Sequence, residues 1–334
     1  MQEKQTTAAA AGPREMSGPA GQRGFWCRTP VIIGFTFISC FLWGSAFPSI
    51  KIGYELFAVG SADTASQILF AGIRFTIAGL MVILIGSVQE KKVITPHRAT
   101  WGSVLFLSLL QTIGQYFFFY IGLAHASGVS SAILVGANTF FCILVAAFVF
   151  HTEKMTVAKT VGCLIGFLGI LLIQLPGKTF DFHVSLAGEG AVLASTLMSA
   201  FSSSYVKRAA KKESAMALSG WQFLMGGLVL AAGGFAAGGK LANAGWKGGV
   251  LLLYMSFISA AAYTLWSILL KYNPVSRIAV FGFINPIIGV ILSAVLLGES
   301  GQAFSLTGMA ALVLVCIGII VVYRVKEPGV GRKK

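Results

Sequence analysis

The feature that most limits what this chain can fold into is a series of long apolar runs with few or no charges. Ten can be read, at roughly 31–53, 67–88, 101–123, 128–150, 157–175, 186–206, 216–237, 246–270, 275–297 and 302–323. A run of 18 or more such residues, wound as a helix, is long enough to cross the hydrocarbon core of a bilayer. A soluble protein has no means of burying ten helices of this kind. A transmembrane barrel would need short segments of alternating polarity, and none occur. The composition agrees, with 56% hydrophobic and 11% charged residues and a mean hydropathy of +0.82. The fold class is therefore an all-α membrane protein with ten transmembrane helices.

A net charge of +14 would suit a nucleic-acid partner if it were gathered in one patch, but its placement argues against that reading. With the N-terminus inside, 20 Lys and Arg fall on the cytoplasmic side and 4 outside (Lys51, Lys178, Lys240 and Lys247), while Arg74 lies within the second span. Positive charge is retained on the cytoplasmic side, so both termini are assigned there. The excess charge reads as a topology signal, with at most a secondary attraction to anionic lipid in the surrounding bilayer. Residues 1–30, rich in Ala, Gly, Gln and Pro, read as a disordered cytoplasmic tail, and 324–334 as a basic cytoplasmic one. The first span lacks a convincing cleavage site and reads as retained. Short loops and the lack of a targeting segment favour a bacterial inner (plasma) membrane.

Internal repetition comes next. Shifted by 146 positions, Val129–Gly162 falls on Val275–Gly308, pairing Ser130 with Ser276, Gly136 with Gly282, Val149 with Val295 and Glu153 with Glu299. Each glutamate closes an apolar run and stands just before the next. The units are residues 31–175 and 186–323, with five helices each. Five is odd, so the second unit enters the membrane upside down relative to the first. Two inverted five-helix repeats are an architecture of many secondary transporters.

The polar residues inside the spans are the candidates for function. Arg74 is a charge within a span, which is costly and therefore either structural or a contact for substrate charge. Helix 3 sets Gln111 and Gln115 four apart, with Tyr116 and Tyr120 on the adjoining stripe. Asn138 and Asn285 fall at matching depths of the two repeats. Ser199 and Ser203 belong to a hydroxyl stripe on helix 6 that also holds Ser195 and Ser202, while Tyr263 and Trp266 extend one on helix 8 from Ser256 and Ser259. Serines in spans commonly bond back to their own helix, but stripes on several helices point to a shared cavity. Trp43 precedes Gly44 and Pro48, which would bend or loosen helix 1. Glu153 and Glu299 precede helix starts, where the helix dipole favours a negative charge, so their reading is structural.

All eleven acidic residues lie in tails, loops or helix ends, so a buried carboxylate relay has no candidate. Phosphate-loop, H-E-x-x-H and G-x-S-x-G patterns are lacking, which argues against ATP-driven transport and an intramembrane protease. The five cysteines have no metal or redox spacing and read as packing residues. The chain does not read as an enzyme, and no metal or cofactor is expected.

Trp43-Gly44-Ser45 closed by Lys51, Arg74-Phe75, Glu153 and Glu299 at the ends of the fourth span of each half, Gly162 and Gly308 nine residues on, and Asn285-Pro286 together resemble the EamA-type branch of the drug/metabolite transporter superfamily. The resemblance covers about residues 31–323. It implies two inverted five-helix halves, a central cavity and alternating access, in a family that exports amino acids and other small metabolites or carries nucleotide sugars. The chain departs from the pattern at Asn138-Thr139-Phe140, where a proline is usual, and in lacking a helix 6 tryptophan to match Trp43. The leading expectation is a secondary transporter exporting a small metabolite such as an amino acid. Trp43, Tyr116, Tyr120, Tyr263 and Trp266 would shape its pocket, and Gln111, Gln115, Asn138, Ser199, Ser203 and Asn285 would supply hydrogen bonds. A membrane-embedded lipid-handling or structural protein is the alternative, and a homodimer is left open.

Overall fold

The computed structural model describes residues 24–151, 154–173, 185–209, 213–273, 278 and 280–324. Among these, every regular element is helical. Helix α1 spans Thr29–Leu56, α2 Thr64–Glu90, α3 Arg98–His125, α4 Gly128–Val149 and α5 Val157–Ile173. Helix α6 spans Ala191–Ala209, α7 Ala215–Ala236, α8 Gly245–Tyr272, α9 Ile284–Leu296 and α10 Leu306–Arg324. Six of them, α1–α4, α7 and α8, are long and apolar enough to cross a membrane; α5, α9 and α10 contain shorter apolar helices. The first residues of the second repeat copy, 275–277, and Glu153 lie outside the described residues.

Local chemistry sets the helix starts. Asp63, Ser127 and Ser214 each accept a backbone N–H three residues on, at the heads of α2, α4 and α7. Helix α1 runs unbroken through Pro48, against the expectation of a loosened half-helix. The hydroxyls of Ser45 and Ser49 beside the proline donate to the carbonyls of Leu42 and Ser45 on their own helix. The irregularities fall elsewhere. Helix α3 widens to a π-helix over Ser108–Gly114, α4 turns at Gly136 and widens again over Val145–Val149, and a 3-10 turn at Val280–Phe283 leads into α9.

The most extensive packing joins α2 to α7 and α5 to α10; α1 packs on α8 and α9, α3 on α6, and α4 on α6 and α9. Exchanging each helix with the one five further along leaves this set of pairs unchanged. The two largest contacts are built on glycine. A Cβ added at Gly72 or Gly79 of α2, or at Gly227 or Gly234 of α7, would strike the backbone of the other helix. Both helices carry glycine every seventh residue, at 72, 79 and 86 and at 220, 227 and 234. Gly162 and Gly169 of α5 meet α10, and Gly318 of α10 meets α5, in the same manner. In lipid, where apolar burial adds little between helices, such backbone approach is a main source of association.

The connections meet in pairs. At one end of the bundle the Ala242 N–H donates to the Phe57 carbonyl, and Ser66 Oγ bonds the backbone of Lys240, joining the α1–α2 and α7–α8 connections. Glu299, after α9, accepts from the first N–H groups of α4. At the opposite end Glu213, between α6 and α7, bonds His97 just before α3 and Thr100 in its first turn.

Candidate functional site

Arg74 sits midway along α2 with only 3% of its surface exposed. It does not reach for the membrane surface. Its Nε donates to the Met255 carbonyl (3.1 Å), Nη1 to the Tyr120 hydroxyl (2.8 Å) and Nη2 to Ser259 Oγ (3.2 Å), so it ties α2 to α3 and α8. Ser256 Oγ returns a bond to the Arg74 carbonyl at 3.0 Å. Tyr54 of α1 donates to the Tyr120 carbonyl at 2.8 Å. A helix turn away from Tyr120, Tyr116 on α3 is half-buried, as is Tyr263 on α8. Gln111 Nε2 approaches the Tyr263 hydroxyl at 3.4 Å, and Gln222 Nε2 of α7 donates to Gln111 Oε1 at 2.8 Å.

Aromatic rings enclose this chain of polar groups. Tyr263 lies edge-on to Trp43 (5.6 Å between centroids) and to Phe223 (5.1 Å), and Trp43 meets Trp266 at 5.1 Å. Phe75 lies against Tyr116 at 4.0 Å and Phe223 at 5.5 Å. Such ring pairs add orientation to apolar burial. The cluster draws on α1, α2, α3, α7 and α8, so both halves of the chain contribute. Trp43, Tyr116, Tyr263 and Trp266 are half-buried, whereas Tyr120 and Arg74 are sealed.

The structure thus brings together Trp43, Arg74, Gln111, Tyr116, Tyr120, Tyr263 and Trp266 among the residues singled out from sequence. Gln115 follows on the same helix, half-buried, with Oε1 enclosed and unpartnered. Asn138 accepts a weak Cys142 thiol contact at 3.8 Å, and Asn285 has its Oδ1 enclosed without a partner. Among the described residues, no hydrogen bond or ring contact joins either asparagine to the tyrosine cluster. The α6 stripe divides. Ser195, Thr196 and Ser202 donate to the carbonyls of Val192, Leu193 and Ser199, Ser199 is half-buried, and Ser203 is exposed. Gln222, Phe223 and Tyr54 were not singled out. Gln222 could have been, as the amide within the apolar run of α7.

Glu299 reaches a different helix from the one it precedes. Its oxygens accept from Gly128 N (3.0 Å) and Val129 N (2.8 Å) at the head of α4, and Lys51 Nζ stands 3.9 Å away. It makes no side-chain cap to the short helix Ser300–Ala303 that it precedes. Glu153 lies outside the described residues.

A helical bundle with membrane-length apolar spans and a polar–aromatic core shared by its halves defines an integral membrane protein of the polytopic helical class. The EamA-like transporter family matches residues 30–175 and again 186–324, and the chain belongs to that family. It is 27% identical to the uncharacterized transporter YvbV of Bacillus subtilis (strain 168), over 88% of this chain and 91% of that one. It is 26% identical to a probable amino-acid metabolite efflux pump of Salmonella typhimurium (84% and 90% covered) and 24% identical to the uncharacterized inner membrane transporter YedA of Escherichia coli K12 (87% and 90%). A solved crystal structure shares the fold, with a TM-score of 0.58 at 18% identity, covering 86% of this chain and 95% of that one.

Proposed function

We propose that the protein is a secondary transporter exporting a small metabolite of the amino-acid class, by alternating access between two inverted five-helix halves. The observation that carries this reading is the Tyr263–Gln111–Gln222 chain, framed by Trp43, Trp266 and Phe223 and built from both halves. Interior polar groups are costly in a membrane bundle and commonly mark a solute path. Exchange of helices by five positions preserves the packing, which supports halves at about residues 31–175 and 186–323 related by a two-fold axis. The similarity to a protein named as an amino-acid metabolite efflux pump supports the substrate class. The distribution of Lys and Arg supports cytoplasmic termini, and the similarity to YedA supports a bacterial inner membrane.

Gln111 and Tyr263 would orient the solute while the aromatic rings exclude water and lipid. The test is uptake of a panel of labelled amino acids into liposomes containing the purified protein, against empty vesicles. Movement of at least one member is expected, with Gln111→Leu and Tyr263→Phe slowing it while leaving insertion intact. No movement of any member would remove the amino-acid class, and full activity in both variants would remove this cluster from the path.

A further inference from the structure

We propose that Arg74 receives the carboxylate of the transported metabolite, so that the protein selects substrates by their negative group; this rests on the transporter reading above. Arg74 is a cation sealed in the bundle, whose three hydrogen-bond partners are all neutral (a carbonyl, a phenol and a serine hydroxyl), and the Phe75 ring, 5.0 Å from its guanidinium carbon, carries no charge either. No carboxylate among the described residues lies within ion-pair reach of it. A buried charge without a counter-charge is expensive, and removing it from water is repaid only by an opposite charge with good geometry. A simple cross-link of α2 to α8 does not require that charge. Ser256 already makes one, from its hydroxyl to the Arg74 carbonyl.

The guanidinium has donors left for the task. It carries five N–H groups, and three are engaged here, which leaves one on each terminal nitrogen. Two such donors suit the paired oxygens of a carboxylate, and Tyr120 and Ser259 hold the fork in place before a ligand arrives. The approach is also defined. Tyr116 lies one turn from Tyr120 on α3, and Tyr263 one turn from Ser259 on α8, so two half-buried rings stand next to the two side chains that hold the arginine. Rotating those two rings apart connects Arg74 with the Gln111, Gln222, Trp43 and Trp266 group. A solute with a carboxylate at Arg74 would then rest its remaining atoms among amides and aromatic rings. A solute carrying only a positive charge would meet repulsion at the same place.

The experiment compares each labelled amino acid with its methyl ester, which keeps the side chain and ammonium but loses the negative charge. Initial rates are read in liposomes for the wild type, Arg74→Gln and Arg74→Lys, each first checked for monodispersity in detergent. The wild type is expected to move the acid at least tenfold faster than the ester. Arg74→Gln should lower acid transport roughly ten- to a hundredfold, the loss of a charged hydrogen-bonded contact, and raise ester transport as the repulsion of its ammonium is relieved. Arg74→Lys should recover part of the preference. Equal rates for acid and ester in the wild type would overturn the proposal, as would parallel loss of both in Arg74→Gln, the signature of a structural strut. If no amino acid or ester moves, the amino-acid reading fails separately, and thermal stabilisation by simple carboxylic acids against their amides decides for Arg74. Stabilisation by the acids alone, lost in Arg74→Gln and partly kept in Arg74→Lys, supports it; none with any acid overturns it.

Discussion

Glu213 shows how one side chain can fasten two connections of a membrane protein. Only 4% of its side chain is exposed, and it accepts from His97 N, His97 Nδ1, Thr100 Oγ1 and Ser214 N. Burial alone would raise its pKa, but these hydrogen bonds outweigh it and hold the group down at about 2, from an ordinary 4.5. A carboxyl depressed in the folded state adds stability that is complete above its unfolded pKa and lost as pH falls through its folded one. Thermal unfolding in detergent should therefore show a wild-type advantage over Glu213→Gln at neutral pH, shrinking between pH 4.5 and about 2. A constant gap across that window would contradict the assignment. Glu299→Gln leaves a single acceptor for the two N–H groups of α4 and removes the carboxylate that faces Lys51 at 3.9 Å, leaving Glu55 as its remaining counter-charge. It should cost about 2 kcal/mol, read as a lower melting temperature. At this scale the sequence was informative where a residue is chemically out of place in a span. Arg74, Gln111 and the tyrosines stand out by that rule and do gather. Ser195 and Ser202 misled it, because a hydroxyl in a helix can satisfy itself on its own backbone, and spacing does not reveal which choice it makes. Glu299 was recognisable as a helix-end group, but the helix it serves begins 171 residues earlier in the chain.

Among the helices, the α2–α7 contact depends on what is missing from it. Gly79 faces the backbone of Leu224 and Gly220 with no room for a side chain. Gly79→Leu is expected to separate the two helices and destabilise the fold by about 3 kcal/mol or more. The readout is loss of a monodisperse peak after detergent extraction, with Leu80→Ala on the exposed neighbouring position as an almost silent control. Normal behaviour of Gly79→Leu would mean that this seam is not a principal contact. The seven-residue spacing of these glycines is plain in the sequence once the partner helix is known. Read one helix at a time, it looks like ordinary small-residue packing, and the pairing comes from tertiary contact. The interruptions were harder still. Pro48 pointed to a break in α1, yet the wider turns lie in α3 and α4, where neither Ser108–Gly114 nor Val145–Val149 contains a proline. A π-turn costs little when surrounding helices support it, so it leaves a weak trace in composition.

For the whole molecule, the proposed orientation makes a prediction that needs no substrate. In a cysteine-free background, Ala242→Cys should react with an impermeant maleimide on intact cells. Arg98→Cys, exposed at the opposite end of the bundle, should react only after permeabilisation. The reverse pattern would invert the protein in its membrane. Charge counting and run lengths made the helical class legible, because lipid punishes stray charges and broken backbone alike. Which helices touch could not be read that way, since every span is apolar on most of its surface. The glycine seam has a further consequence. Between α2 and α7 there are few side chains to interlock, but bulky residues stand on either side of the close approach. Sliding one helix along the other would drive those residues into the backbone, whereas a small rotation of the crossing would not. Under the alternating access proposed above, the pair would turn at its crossing more readily than it would slide.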